Sequence, residues 1–251
     1  MGRSGREAVI DFLDKHRSEY DFIIANGENA THSHGLSMPV YRELSKHGID
    51  GFTMGNHTWG CPDIVNIMRY NDNVIRPANY DKSCPGKGSM ILTKGDKKIG
   101  VINLIGRVNM PLPFDSPFMA ADREIEYLKS KADIILVDFH AETTSEKKSL
   151  GYYLDGRVSA VFGTHTHVQT ADEEILFGGT GYITDLGMTG PVHSVIGMEK
   201  QIIINRFING MNAKFAIATG EGQLCACEFE VDEETAKCTA IKRLFIKGGR
   251  E

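Results

Sequence analysis

The residues of this 251-residue chain that can do chemistry are histidines and carboxylates placed just beyond apolar runs. The clearest case is Gly163-Thr164-His165-Thr166-His167-Val168-Gln169, which directly follows the β-forming run Val158-Ser159-Ala160-Val161-Phe162. Two histidines one residue apart on extended chain project to the same side, because side chains alternate there with a period of two. Side by side, two neutral imidazoles can hold one metal ion, or one ion each of a pair. An isolated His-x-His is more simply a pair of polar loop residues, so its meaning depends on the rest of the chain.

Three further runs end the same way. Asp21-Phe22-Ile23-Ile24-Ala25 stops at Asn26-Gly27-Glu28-Asn29-Ala30, Gly51-Phe52-Thr53-Met54 at Gly55-Asn56-His57, and Ile134-Ile135-Leu136-Val137-Asp138 at Phe139-His140. Unbroken apolar runs are the signature of strands covered on both faces, and open α/β sheets collect ligands beyond the carboxyl ends of their strands. Parallel, neighbouring strands would bring Glu28 and Asn29, Asn56 and His57, His140, and His165 and His167 to one crevice. Imidazole nitrogens with amide and carboxylate oxygens, and no thiolate, suit Mn, Fe, Zn or Ni. Glu28 could bridge two such ions. Two ions ~3.5–4 Å apart stabilise both the attacking and the leaving oxygen of an in-line displacement at phosphorus, and a hydroxide held by them is a ready nucleophile. His57, beside the metals, is placed to protonate the leaving alkoxide.

The elements that must position these groups follow from periodicity. Helical spacing predicts helices over 6–17 (with Ser4 as N-cap), 37–46, 62–70 and about 120–131, and one of about ten residues capped by Ser145. Residues 89–93 and 98–104 flank Gly95-Asp96 as a hairpin. Short strands are expected at 181–184, 201–205, 214–218, 224–231 and 240–246. Alternating strand and helix, followed by mostly strand, predicts an α/β sandwich of two sheets covered by helices.

Composition narrows the class. An apolar content of 41% and a charged content of 24% are those of a soluble globular chain. A net charge of −5 gives no reason to expect a nucleic-acid polymer or an anionic membrane as docking surface. No apolar run approaches the ~20 residues of a membrane helix, and the N-terminus has no signal-peptide pattern. Five scattered cysteines without Cys-x-x-Cys favour reduced thiols and a cytoplasmic location, with Cys225 and Cys227 as a packing pair on one strand face. With no linker or repeat, one domain over 1–251 is expected; a homo-oligomer is open.

Taken together, the motifs around Glu28, His57, His140 and His167 resemble the YmdB-type branch of the calcineurin-like metallophosphoesterases, as do Arg76-Pro77-Ala78-Asn79 and Thr184-Asp185-Leu186-Gly187-Met188-Thr189-Gly190-Pro191. The match runs in order over essentially the whole chain, with Glu28 and Asn29 in the Gly-Glu-Asn that distinguishes the branch. The resemblance implies a four-layer α/β/β/α sandwich, two metal ions (iron or manganese), and phosphodiesterase activity on 2′,3′-cyclic nucleotides. It implies that Glu28 bridges the metals, that Asn29 and His167 serve the first ion and Asn56, His140 and His165 the second, and that His57 is the proton donor.

One departure stands out. The family pattern opens with an apolar strand ending in Gly-Asp-x-x-Gly, whose Asp ligates the first metal. Here Met1-Gly2-Arg3-Ser4-Gly5-Arg6 begins after that Asp. The first strand and one ligand are therefore expected to be missing, through an internal start rather than as a true variant. Losing a strand from within a sheet leaves a slot and unpaired backbone groups, and the first ion keeps only Glu28, Asn29 and His167, a weakened site with reduced activity.

Two rival functions remain: a phosphomonoesterase or phosphoprotein phosphatase using the same centre, and a catalytically impaired, regulatory nucleotide-binding protein. Among the other polar residues, Arg76 is a weak candidate for a substrate phosphate and His32 for the edge of the site. His34 is expected to face solvent, and His193 either the cleft or a loop. Glu142 and Glu146 are candidate acceptors behind His140. Trp59 is a candidate base-stacking residue or a packing one.

Overall fold

In the computed structural model, which describes residues 1–32 and 34–248, the apolar runs become the inner strands of two stacked sheets. One is parallel, in the order β1 (Ile24–Asn26), β2 (Gly51–Thr53), β3 (Val74–Ile75). The other has the order β4 (Ser89–Lys94), β5 (Lys97–Ile105), β6 (Ile134–His140), β7 (Ala160–Thr164), β9 (Gly181–Ile183), β8 (Glu174–Ile175). Its four central strands are parallel and its two edge strands antiparallel. A third, antiparallel sheet joins β10 (Gly190–Pro191), β11 (Gly222–Val231) and β12 (Cys238–Lys247).

Strand alternation turns these sheets into layers. Val137 and Phe139 of β6 pack with Leu128 of α4 (Pro117–Leu128) and Leu150 and Leu154 of α5 (Thr144–Leu154). On the other face, Leu136, Ile99 and Val101 meet Ile24 and Ile75 from the first sheet. Phe52 and Val74 point away from that interface, under Leu13 of α1 (Gly2–His16), Val40 and Leu44 of α2 (Met38–Lys46), and Ile64 and Ile67 of α3 (Asp63–Tyr70). Helix, sheet, sheet, helix is the expected four-layer α/β/β/α sandwich. Each large apolar side chain fully buried in these interfaces contributes about 1.5–3 kcal/mol of transfer free energy.

β1 pairs only with β2, and past Gln223 the edge of β11 opposite β12 has no strand against it among the described residues. Both strands line one cleft of about 900 Å3, with Ile24, Leu136 and Leu224 in its walls and His140, His165 and His167 among its lining residues.

Several local expectations are corrected. The first helix starts at Gly2, so Ser4 is buried inside it rather than capping it. The helix expected at 120–131 begins at Pro117, where the Ser116 hydroxyl accepts the Met119 N–H. Thr143, not Ser145, occupies the N-cap position of α5. Residues 201–205 are not a strand but part of α6 (Lys200–Asn209), which Gly210 terminates in the left-handed conformation at φ 69°. The β-branched run Ile202-Ile203-Ile204 favours extended chain only where it has a sheet to join, and no strand pairs with it among the described residues. Residues 214–218 hold a single bridge, Ile217 to Met198, instead of a strand. The short strands β3, β8 and β10 were not expected; two residues carry no readable periodicity.

Close approach of β7 to the end of β9 leaves no room at Gly163, where a Cβ would overlap the Thr184 carbonyl group. Gly163→Ala should therefore destabilise the fold by about 1–3 kcal/mol, read as a lower denaturant midpoint at unchanged m-value.

Candidate metal centre

The polar side chains predicted from the sequence lie beyond the carboxyl ends of β1, β2, β6 and β7. What aligns these four strand ends is Asp138, on β6, buried from solvent. Its carboxylate accepts from Asn26 Nδ2 of β1 at 3.2 Å, from Thr53 Oγ1 of β2, and from Thr164 Oγ1 of β7 at 2.7 Å. Burial raises its pKa against those hydrogen bonds and the nearby charge of His140. Thr164 Oγ1 also lies 2.9 Å from His140 Nδ1. With its hydrogen given to Asp138, Thr164 accepts from Nδ1–H and leaves Nε2 of His140 free to bind a cation.

The loop after β7 is not extended. His165 and His167 adopt positive φ, 102° and 65°, so strand alternation does not place them on one side as the sequence suggested. Non-glycine residues in this region cost on the order of 1–3 kcal/mol each and persist only where surrounding contacts impose them. Those contacts come from Asp185, whose Oδ2 accepts from Thr166 N at 3.2 Å and Thr166 Oγ1 at 2.8 Å. Asp185 in turn pairs with Lys147 Nζ at 2.5 Å, both side chains 1% exposed. The pair clamps Thr166, and the histidines on either side of it turn in different directions.

His165 turns toward His140, with Nδ1 3.0 Å from its Nε2. The same Nε2 is 2.9 Å from Asn56 Oδ1 and 3.2 Å from Glu28 Oε1. His167 turns toward Asn29, whose Nδ2 lies 3.3 Å from His167 Nε2 and 3.2 Å from Glu28 Oε1; turning the Asn29 amide over would present its oxygen there instead. Glu28 is thus shared between two clusters: Asn56, His140 and His165 on one side, Asn29 and His167 on the other. Its Oε2 accepts the His57 backbone N–H at 3.0 Å.

Electrostatics and space both fit a cation here. Burial opposes ionisation of Glu28, but the His140 charge and hydrogen bond overcome it and bring the carboxyl to about 2. Desolvation, reinforced by His140, lowers His165 to about 4. Burial also lowers His167 and His57. Neutral His165 and His167 beside an ionised carboxylate are the forms that bind metal, whereas His140, which burial would lower but the Glu28 charge and hydrogen bond raise, gives up its Nε2 proton when an ion takes its place. Ligand atoms of Glu28, His140 and His165 all lie within 4.8 Å of one another. A Cβ at Gly55 would overlap the Glu28 carboxylate and the His140 ring, so the glycine is what makes room for the cluster.

Other sequence candidates land elsewhere. The Arg76 guanidinium is 6% exposed and donates to the carbonyls of Pro77, Cys84 and Pro85, which makes it a brace for that loop. His32 and His193 are exposed. Glu142 supports His165 rather than His140, at 3.0 Å from its Nε2, and Glu146 accepts the backbone N–H groups of Arg107 and Val108. Trp59 packs edge-on against Tyr80. His34, expected to face solvent, is exposed but stacks on His57 at 3.9 Å between ring centroids, with Nδ1 3.3 Å from Asn29 Oδ1. Its place follows from the turn held by the Gly35 N–H to Glu28 carbonyl bond, which sequence spacing does not display.

Comparison with known proteins places the chain. Residues 1–244 match the YmdB-like protein family. The chain is 44% identical to the 2′,3′-cyclic-nucleotide 2′-phosphodiesterase of Bacillus subtilis, over 98% of this chain and 94% of that protein. A crystal structure of a hypothetical protein from Thermus thermophilus superposes with a TM-score of 0.92 at 42% identity, covering 98% of this chain and 96% of that one. A phosphatase structure from Mycoplasma pneumoniae gives 0.90 at 38% identity, covering 98% and 90%.

Lys147→Ala leaves the buried Asp185 carboxylate without its cation and should cost about 3–5 kcal/mol, measured by chemical denaturation. Metal affinity of the folded variant should fall as well, because Thr166 loses its anchor.

Proposed function

The chain belongs to the YmdB-like family, and from that premise we propose that it is a metal-dependent phosphodiesterase acting on 2′,3′-cyclic nucleotides or similar small phosphodiesters. The observation that carries this reading is the convergence of Glu28, Asn56, His140 and His165 from four strands onto one point, with Asn29 and His167 beside it. The name of the 44%-identical Bacillus subtilis relative supports the substrate class.

Glu28, Asn56, His140 and His165 would hold one ion, and Glu28, Asn29 and His167 the other. Nitrogen and oxygen donors without thiolate suit iron or manganese. Bound there, the ions supply positive charge for the phosphate oxygens and acidify water. The protein's own part is orientation and proton transfer. Thr164 and Glu142 fix the His140 and His165 rings, and the Glu28 carboxylate fixes the His57 backbone. His57 gives its proton to the leaving oxygen. Burial disfavours its charged form, so the negative charge of the bound phosphodiester is what draws the proton onto the ring before transfer. Five unpaired cysteines fit a reducing compartment such as the cytoplasm.

Three measurements test this reading. In the metal-loaded protein, turnover of bis-p-nitrophenyl phosphate should exceed that of p-nitrophenyl phosphate; the reverse order favours a phosphomonoesterase, a reading in line with the name phosphatase carried by the Mycoplasma pneumoniae structure. His57→Asn should lower kcat by roughly 10²–10⁴-fold with metal content retained. His140→Ala and His165→Ala should each lose bound metal by elemental analysis; unchanged metal content in both would refute the centre.

A further inference from the structure

Of the four histidines gathered at the site, three have rings fixed by hydrogen bonds. His140 meets Thr164 and Asn56, His165 meets Glu142, and His167 Nδ1 lies 3.1 Å from the Ile196 carbonyl oxygen. His57 differs. Its backbone is tied on both sides, the N–H to Glu28 Oε2 and the carbonyl to the Gly60 N–H at 2.9 Å. Among the described residues, however, the His57 ring makes no hydrogen bond, and the one ring packed against it is that of His34. The two imidazoles stack at 3.9 Å between centroids, with 14° between their planes. A histidine ring is otherwise loosely held about χ2, and a displacement of ~1 Å at a reacting group can cost on the order of 100-fold in rate.

We propose that His34 is a positioning residue for the proton donor: its ring face holds the His57 imidazole in the orientation that reaches the leaving oxygen. The role rests on the phosphodiesterase reading above. His34 is itself anchored by two interlocked loops. A Cβ at Gly60 would overlap the His34 Cβ, and a Cβ at Gly35, whose φ is 82°, would overlap the backbone nitrogen and Cβ of Cys61. The loop of His34 thus lies directly on the turn Thr58–Gly60 that follows His57. Thr31 closes the same loop, its N–H 3.1 Å from the Gly35 carbonyl and its hydroxyl accepting the Ser37 N–H at 2.7 Å.

The edge of the His34 ring faces the other half of the site, with Nδ1 3.3 Å from Asn29 Oδ1. A neutral imidazole nitrogen can donate or accept, so this contact survives turning over the Asn29 amide to present its oxygen toward His167. One side chain therefore sets His57 by its face against Asn29 by its edge. The ring is exposed, so its replacement leaves the core intact.

Two esters test the proposal in the metal-loaded chain: 2′,3′-cyclic AMP, whose leaving alkoxide needs a proton, and bis-p-nitrophenyl phosphate, whose phenolate leaves with little help. His34→Ala should lower kcat on the cyclic nucleotide on the order of 10–100-fold, and far less on the aryl ester, with KM, metal content and thermal midpoint unchanged. His34→Phe, which keeps a ring face without the edge contact, should restore most of kcat. His34→Gln, which can reach Asn29 but cannot stack, should not. In a His57→Asn background, His34→Ala should add nothing. Equal losses on both esters, no rescue by Phe, or full additivity with His57→Asn overturns the proposal. NMR of the metal-free chain reads the stack without turnover: His34→Ala should move the His57 ring-proton resonances downfield as the shielding ring is lost. Unmoved resonances overturn the proposal, whereas a wild-type chain that hydrolyses neither ester overturns the phosphodiesterase reading.

Discussion

A single buried carboxylate ties the layers of this molecule to its chemistry. Ionised or neutral, a carboxyl with no access to water must find its hydrogen bonds inside the protein, and leaving any of its partners out costs about 1–3 kcal/mol. Asp138 finds them on Asn26, Thr53 and Thr164, from three different strands in two different sheets. Sheet stacking by apolar side chains alone is tolerant of small slides; a carboxylate shared between β1, β2 and β7 is not. His140 follows two residues later on the same strand, so the register set by Asp138 is the register of the site.

The same logic recurs one strand over. Lys147 and Asp185 form a buried ion pair whose free acceptor capacity is spent on Thr166. A buried pair of this kind adds little net stability over an apolar one but is costly to break on one side. Its value lies in position. Between them, Asp138 and Asp185 hold His140, His165 and His167 without touching any of the three directly.

Much of the architecture was legible in the sequence because both of its determinants are local. Unbroken apolar runs such as 134–138 state that a strand is covered on two faces, and the polar residues behind each run state which end faces the cleft. The gathering of Glu28, Asn56, His140 and His165 was legible for the same reason. What was not legible depended on long-range partners. Ile202-Ile203-Ile204 has strand propensity but no strand beside it, and became helix. His165 and His167 look like alternating residues on a strand, whereas hydrogen bonds from a residue some twenty positions later twist both into positive φ. His34 reaches His57 only because a turn at Gly35 folds the loop back. Arg76 matched a motif, but its guanidinium serves three backbone carbonyls.

The positive φ angles of the two loop histidines bear on how tightly a cation can be gripped. A flexible loop would have to give up its conformational freedom at the moment an ion arrives, and affinity would fall by that amount. Here the loop is ordered by the Lys147–Asp185 pair, so the cost falls on folding rather than on binding. Thermal stability is thereby lowered and selectivity raised, since a rigid cage resists reshaping around an ion of the wrong size. The same rigidity makes the cage indifferent to whether it is loaded, so the fold should stand with the cage empty.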